Sequence, residues 1–173
     1  MQNFFINLKK EVFPVSLILI LAISRLIPHP ENFTPIIAMA IMGGHVFRNF
    51  YLSFFVVLFS MLLSDFFIGF YSHMFFVYFS LFFLILVFFS LTKKINYKNL
   101  FIFSFLGSVI FFMISNFGVW IVGNLYERNI DGLIKCYFMA IPFFKNTFLS
   151  TLIFSYSSFM MYKSSTRYFG IKY

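Results

Sequence analysis

Apolar runs separated by short polar segments make up most of the chain. Six runs are visible: Val12–Ile27, Phe33–Phe47, Tyr51–Ser64, Met74–Leu91, Leu100–Val122 and Cys136–Tyr162. A helix needs about 20 mainly apolar residues to cross the hydrocarbon core of a bilayer. The pattern predicts an all-α membrane protein with six transmembrane helices. No internal repeat or linker divides it, so residues 1–173 form a single transmembrane helical domain.

The second run is predicted to form a short helix, because prolines limit where it can begin. Pro28, Pro30 and Pro35 lack a backbone N–H and restrict the residue before each of them. Thr34 is a plausible N-cap, with Pro35 at the first helical position. A helix of this length either crosses the membrane or forms a re-entrant segment buried in protein.

The distribution of cations favours the crossing helix. If the second run crosses, both termini and two loops share one side, which holds nine cations: Lys9, Lys10, Arg48, Lys93, Lys94, Lys98, Lys163, Arg167 and Lys172. The opposite side then holds Arg128 and Lys135. Cytoplasmic loops carry the excess of Lys and Arg. Both termini are therefore expected in the cytoplasm, with residues 1–11 as a surface leader and residues 163–173 as a basic tail.

Composition supports the membrane assignment. The chain is 61% hydrophobic and 10% charged, with a mean hydropathy of +0.92, whereas a soluble domain carries about 25% charged residues. The formal charge is +8, but the cations are scattered between apolar runs and form no basic face. Membrane lipid is therefore the expected partner, and no nucleic acid is expected.

The predicted topology gathers several polar residues on the outer side. Arg25 lies near the outer end of the first run and Asp65 closes the third, which predicts a structural ion pair. A pocket is expected between the first, fifth and sixth spans, beneath the loop that follows the first. The sixth run is interrupted by Pro142 and by a lysine that is costly in lipid unless paired or facing a wet cavity. The predicted ligand-binding residues are Arg25, His29, Asn32, Asn116, Trp120, Lys145 and Asn146.

Several of these residues have structural alternatives. His29, between two prolines, also fits a role in loop packing. Asn116 also fits a hydrogen bond across helices, and Trp120 an interfacial anchor.

The sequence contains no pattern typical of an enzyme. It has no GxxxxGK[ST] phosphate loop, no HExxH zinc motif and no GxSxG nucleophile motif. The three histidines, His29, His45 and His73, show no spacing typical of metal ligands, and Cys136 is the single cysteine. We therefore expect no catalytic residues, no metal and no cofactor.

The chain resembles a family of short, uncharacterised bacterial integral membrane proteins. The resemblance rests on RLIPHPENFTP and AMAIMGG, followed in order by LLSD, SNFGVW and CYFMAIPFFKNTFL, over residues 25–150. More distantly, the six-span layout and the Pro142-x-x-x-Asn146 arrangement resemble the substrate-binding S components of energy-coupling factor (ECF) transporters.

That second resemblance implies an ECF S-component-like bundle in the bacterial inner membrane. It implies capture from outside of a small-molecule substrate such as a vitamin or a precursor, energised by ATPase subunits and a coupling membrane subunit. The alternative is a membrane scaffold similar to rod-shape-determining membrane subunits. A self-sufficient channel or carrier is less favoured, because six spans show no inverted repeats.

Overall fold

The described part of the chain is entirely helical apart from turns and loops. The computed structural model describes residues 12, 15–16, 19–20, 22–47, 49–91 and 95–169. A 3₁₀ turn, Ser24–Leu26, precedes five α-helices: α1 (Ile36–Phe47), α2 (Phe50–Ile68), α3 (Met74–Leu91), α4 (Tyr97–Val122) and α5 (Ile130–Phe169). No strand occurs among these residues, which confirms the predicted all-α class.

Four helices are long and apolar enough to cross a membrane: Phe50–Ile68, Met74–Leu91, Tyr97–Val122 and the Ile130–Ser164 part of α5. The chain therefore has the length and hydropathy pattern of a multi-pass membrane protein. In the predicted first span, residues 12, 15, 16, 19, 20, 22 and 23 are helical. The predicted leader, residues 1–11, lies outside the described residues, as do Arg48, Lys93, Lys94 and Lys172. The count of six spans and the cytoplasmic termini therefore stay predictions.

Helix α1 lies at the centre of the bundle. It contacts α2, α3, α4 and α5, and the side chains from Ile37 to Met42 are all 0% exposed. A helix that is apolar on every side belongs in a protein interior. Its 12 residues span about 18 Å at 1.5 Å per residue, which is less than the hydrocarbon thickness of about 30 Å.

The start of α1 differs from the predicted cap. The helix begins at Ile36, and the Pro35 carbonyl accepts from the Met39 N–H at 2.9 Å. Within the described residues, the Thr34 side chain makes no capping bond, so the predicted Thr34 N-cap is wrong. Because the Thr34 hydroxyl makes no bond to the helix, it is free to line a cavity described below.

Helix α5 is one continuous helix of 40 residues that contains Pro142. The polar residues that interrupt the sixth run therefore do not break the helix, because membrane helices tolerate the loss of the donor that proline removes. The helix starts at Ile130, since the Asn129 side-chain oxygen accepts from the Gly132 N–H at 2.7 Å and so supplies a cap. It continues to Phe169, so the first part of the predicted tail is helical.

Candidate functional site

The side chain of Arg25 reaches from the 3₁₀ turn to the end of α2. Its Nη2 donates to Asp65 Oδ1 at 2.9 Å, which forms an ion pair, and its Nη1 donates to Ser64 Oγ. The two side chains are 9% and 0% exposed. Burying a charge costs hydration free energy, and the attraction between the two opposite charges offsets part of that cost.

The second oxygen of Asp65 is also occupied. Tyr78, in the first turns of α3, donates its hydroxyl to Asp65 Oδ2 at 2.8 Å. Asp65 therefore joins the turn before α1 to α2 and α3. Both carboxylate oxygens have a donor, and the residue is 0% exposed, so the carboxylate is not accessible to an outside ligand.

A partly enclosed cavity of about 240 Å³ lies beside this ion pair. It is bounded by the loop before α1, the loop between α2 and α3, and the facing sides of the helices. Its polar lining residues are Arg25, Asn32, Thr34, Tyr71, His73 and Thr147. Its apolar lining residues are Ile36, Met61, Val77 and Phe111. A concave space with apolar walls and a few polar groups is the usual form of a small-molecule site.

Two ionisable side chains of the α2–α3 loop contribute no charge to the cavity lining. Burial, reinforced by the nearby Asp65 carboxylate and opposed by Arg25, raises the pKa of Tyr71 to about 12. Burial lowers the pKa of the His73 imidazole below its usual 6.5. The two rings lie together with centroids 4.8 Å apart. At pH 7 both groups are therefore neutral.

The structure brings part of the predicted ligand set to this cavity. Arg25 and Asn32 line it, and Asn32 is the one non-glycine residue with positive φ (58°) among those described. Asn146 precedes the lining residue Thr147, and its Nδ2 donates to the Glu31 carbonyl of the loop before α1 at 3.0 Å. That bond attaches the loop to α5, next to the cavity residue Thr147.

The other predicted residues lie elsewhere and do not line the cavity. His29 is exposed, with its ring nitrogens near the carbonyls of Pro30 and Arg25 at 2.9 and 3.2 Å. Asn116 Nδ2 donates to the Phe112 carbonyl one turn earlier at 2.8 Å.

Trp120 Nε1 donates to the Glu127 carbonyl at 2.9 Å, and so ties the end of α4 to the following loop. Lys145 is exposed, because it lies on a different side of α5 from Thr147. The cavity has lining residues from the first, fifth and sixth runs, between which a pocket was predicted, namely Arg25, Phe111 and Thr147, and it also involves α2 and α3.

Four polar lining residues were not among the predicted ligand-binding residues: Thr34, Tyr71, His73 and Thr147. The sequence contains only weak indications that these four residues line a site. Tyr71 and His73 follow Asp65 in the next loop, and Thr147 follows Asn146, but a chain with 10 Tyr and 32 Phe gives single aromatics little information. Among the described residues, no group of three or more His, Cys, Asp or Glu side chains is placed to hold a metal ion.

The lowered pKa of His73 makes the stability of the protein depend on pH. Below about 6.5 the unfolded chain binds a proton at His73 that the folded chain resists. The free energy of unfolding should therefore fall as the pH drops from about 6.5 through the folded-state pKa. His73→Gln should reduce this loss, measured as the melting temperature of detergent-solubilised protein between pH 7.5 and 5. The control His29→Gln removes an exposed imidazole and should keep the His73-dependent loss. The same pH profile for His73→Gln and the native protein would contradict the assignment.

The described helices form an apolar bundle typical of a multi-pass membrane protein, with a partly polar cavity at the loops before α1 and between α2 and α3. Residues 6–170 match the family described as "Family of unknown function (DUF6580)". The chain belongs to that family. No curated protein and no solved structure gives a significant match.

Proposed function

We propose that this protein is a substrate-binding subunit of a membrane transport system for a small nutrient, such as a vitamin or a precursor. The observation that carries the proposal is the cavity of about 240 Å³ beneath the loop before α1. Its size, somewhat below the range of about 300–1,000 Å³ for drug-sized ligands, suits a compact metabolite.

The unpaired polar groups of the cavity support this proposal. Among the described residues, the partly buried side chains of Thr34 and Tyr71 have no hydrogen-bond partner within the protein. Polar groups in a recessed site are normally satisfied by protein, water or a ligand. A bound molecule with donors and acceptors would satisfy both.

The loop before α1 is suited to act as a cover. The Asn146–Glu31 bond holds it to α5, and the bond from the Phe33 N–H to the Pro30 carbonyl at 3.0 Å closes a turn within it. A cover held by few bonds opens at low cost. In the proposed topology it faces outward in a bacterial inner membrane.

Energy for transport would come from other subunits. The sequence has no phosphate-binding loop for ATP, and the resemblance to ECF S components favours separate ATPase and coupling membrane subunits. Co-purification of such subunits would support transport. Co-purification of cell-wall machinery would instead favour the scaffold alternative.

Filling the cavity tests the proposal. Purified protein in lipid nanodiscs is titrated calorimetrically with a panel of vitamins and their precursors. The Thr147 side chain is 5% exposed and lines the cavity. Thr147→Phe should therefore fill part of the cavity with a ring and weaken any binding at least tenfold. Leu149→Phe, at an exposed position of the same helix, should bind as the native protein does. Binding by no compound, or equal binding by Thr147→Phe, would overturn the proposal.

A further inference from the structure

We infer that the cavity takes an uncharged small molecule with both hydrogen-bonding and apolar groups, and that it discriminates against ions. This inference rests on the proposed function and deepens it by naming the class of ligand. It follows from the charges around the cavity, the unpaired donors in its lining and its apolar wall.

The lining has no net charge to offer a ligand. Arg25 is the one lining side chain that is charged at pH 7, and its partner Asp65 lies 2.9 Å away. The lining residues include no carboxylate. The phenol of Tyr71 and the imidazole of His73 stay neutral, as described above.

An anion would compete with Asp65 for the guanidinium of Arg25. Asp65 is 0% exposed, and the other donor to its carboxylate is the Tyr78 hydroxyl. Drawing Arg25 away would leave a buried carboxylate without its counter-charge, which is strongly unfavourable. The ion pair therefore protects Arg25 from anionic ligands.

A cation would find no counter-charge in the cavity. Both oxygens of Asp65 are engaged, one by Arg25 and the other by Tyr78. The lining offers no other carboxylate, so a cation that lost its water here would gain no counter-charge in return. Cations are therefore disfavoured as well.

An uncharged polar molecule meets neither penalty. The hydroxyl of Tyr71 lines the cavity and can donate to a carbonyl or hydroxyl oxygen. Asn32 and Thr34 offer further donors and acceptors. The apolar wall of Ile36, Met61, Val77 and Phe111 would cover a ring or an alkyl group.

Matched compounds that differ in charge test this inference. The full chain in nanodiscs is titrated at pH 7.5 with nicotinamide and nicotinate, panthenol and pantothenate, biotinamide and biotin, and with thiamine as a cation. In each pair that binds, the uncharged member should bind at least tenfold more tightly. A carboxylate or thiamine that binds as tightly would overturn the inference and leave the proposed function standing. Binding by none of the seven compounds would contradict both.

Substitutions of single lining residues provide a second test, made with the uncharged compound that binds most tightly. Tyr71→Phe and Thr34→Val each remove one hydroxyl and should weaken binding about three- to tenfold. Asn32→Gly removes the amide but accepts the positive φ, and should have a similar effect. The control Tyr51→Phe removes a hydroxyl from a side chain that is 81% exposed. Unchanged binding by all three lining variants, or an equal loss in Tyr51→Phe, would overturn the inference.

Discussion

Replacing Arg25 by methionine should lower the free energy of unfolding by about 3–5 kcal/mol. The variant keeps most of the side-chain volume but leaves the Asp65 carboxylate, which is 0% exposed, without its counter-charge. Asp65→Leu should cost a similar amount, because the guanidinium of Arg25 is then unpaired. The measurement is reversible unfolding of the purified protein in mixed detergent micelles.

The double variant Arg25→Met/Asp65→Leu distinguishes loss of pairing from loss of packing. Removing both charges together should recover most of the stability, since replacing a buried ion pair by apolar groups is often neutral. A residual loss of about 1 kcal/mol is expected because the Tyr78 hydroxyl has lost its acceptor. Arg128→Met, at an exposed arginine, is the matched control and should change stability little. Additive losses in the double variant would show that the pair is not coupled.

Gly118→Ala should destabilise the protein by about 1–3 kcal/mol, because it overpacks the contact between α3 and α4. An added Cβ would lie 2.4 Å from Phe76 Cβ and 2.5 Å from Phe76 Cγ. These atoms are close to the α3 backbone, so rotation of the Phe76 ring does not relieve the clash. The gain in helix propensity from glycine to alanine is at most about 1 kcal/mol, and steric repulsion should exceed it.

Two further variants make this prediction specific. Phe76→Ala should not rescue Gly118→Ala, because alanine keeps the Cβ that clashes. Gly107→Ala should cost less, since the nearest atoms there are the side-chain carbons Ile37 Cγ2 at 2.9 Å and Phe88 Cε2 at 3.2 Å. Equal stability of Gly118→Ala and the native protein, measured by the same unfolding assay, would contradict the close approach of the two helices.

Where apolar runs end at local signals, the sequence predicted the helices well. The predicted fourth run, Met74–Leu91, has the same bounds as α3, because a polar loop precedes it and a basic segment follows it. Helix α5 was predicted less well. It begins before and ends after the predicted sixth run, Cys136–Tyr162, because a helix can continue beyond the apolar residues that mark a run.

The site was only partly predictable. Arg25 and Asp65 are isolated opposite charges at the ends of apolar runs, so few other partners exist for either, and in the structure they lie 2.9 Å apart. The sequence predicts Lys145 as a ligand-binding residue because a lysine within a span is costly. Its exposed position on α5 depends on the rotation of the helix, which the sequence pattern did not resolve.

By itself, the sequence determined that the chain is suited to a membrane and not to water, that it is helical, and approximately where most helices begin and end. These properties depend on hydropathy and on local breaks such as proline clusters. Only the tertiary structure decided that α1 is enclosed by its neighbours and that Tyr71, His73 and Thr147 meet Arg25 at one cavity. Those contacts depend on how each helix is rotated and how closely glycine allows two helices to approach. In a chain this rich in phenylalanine every face is apolar, so hydrophobic periodicity carries little information about rotation.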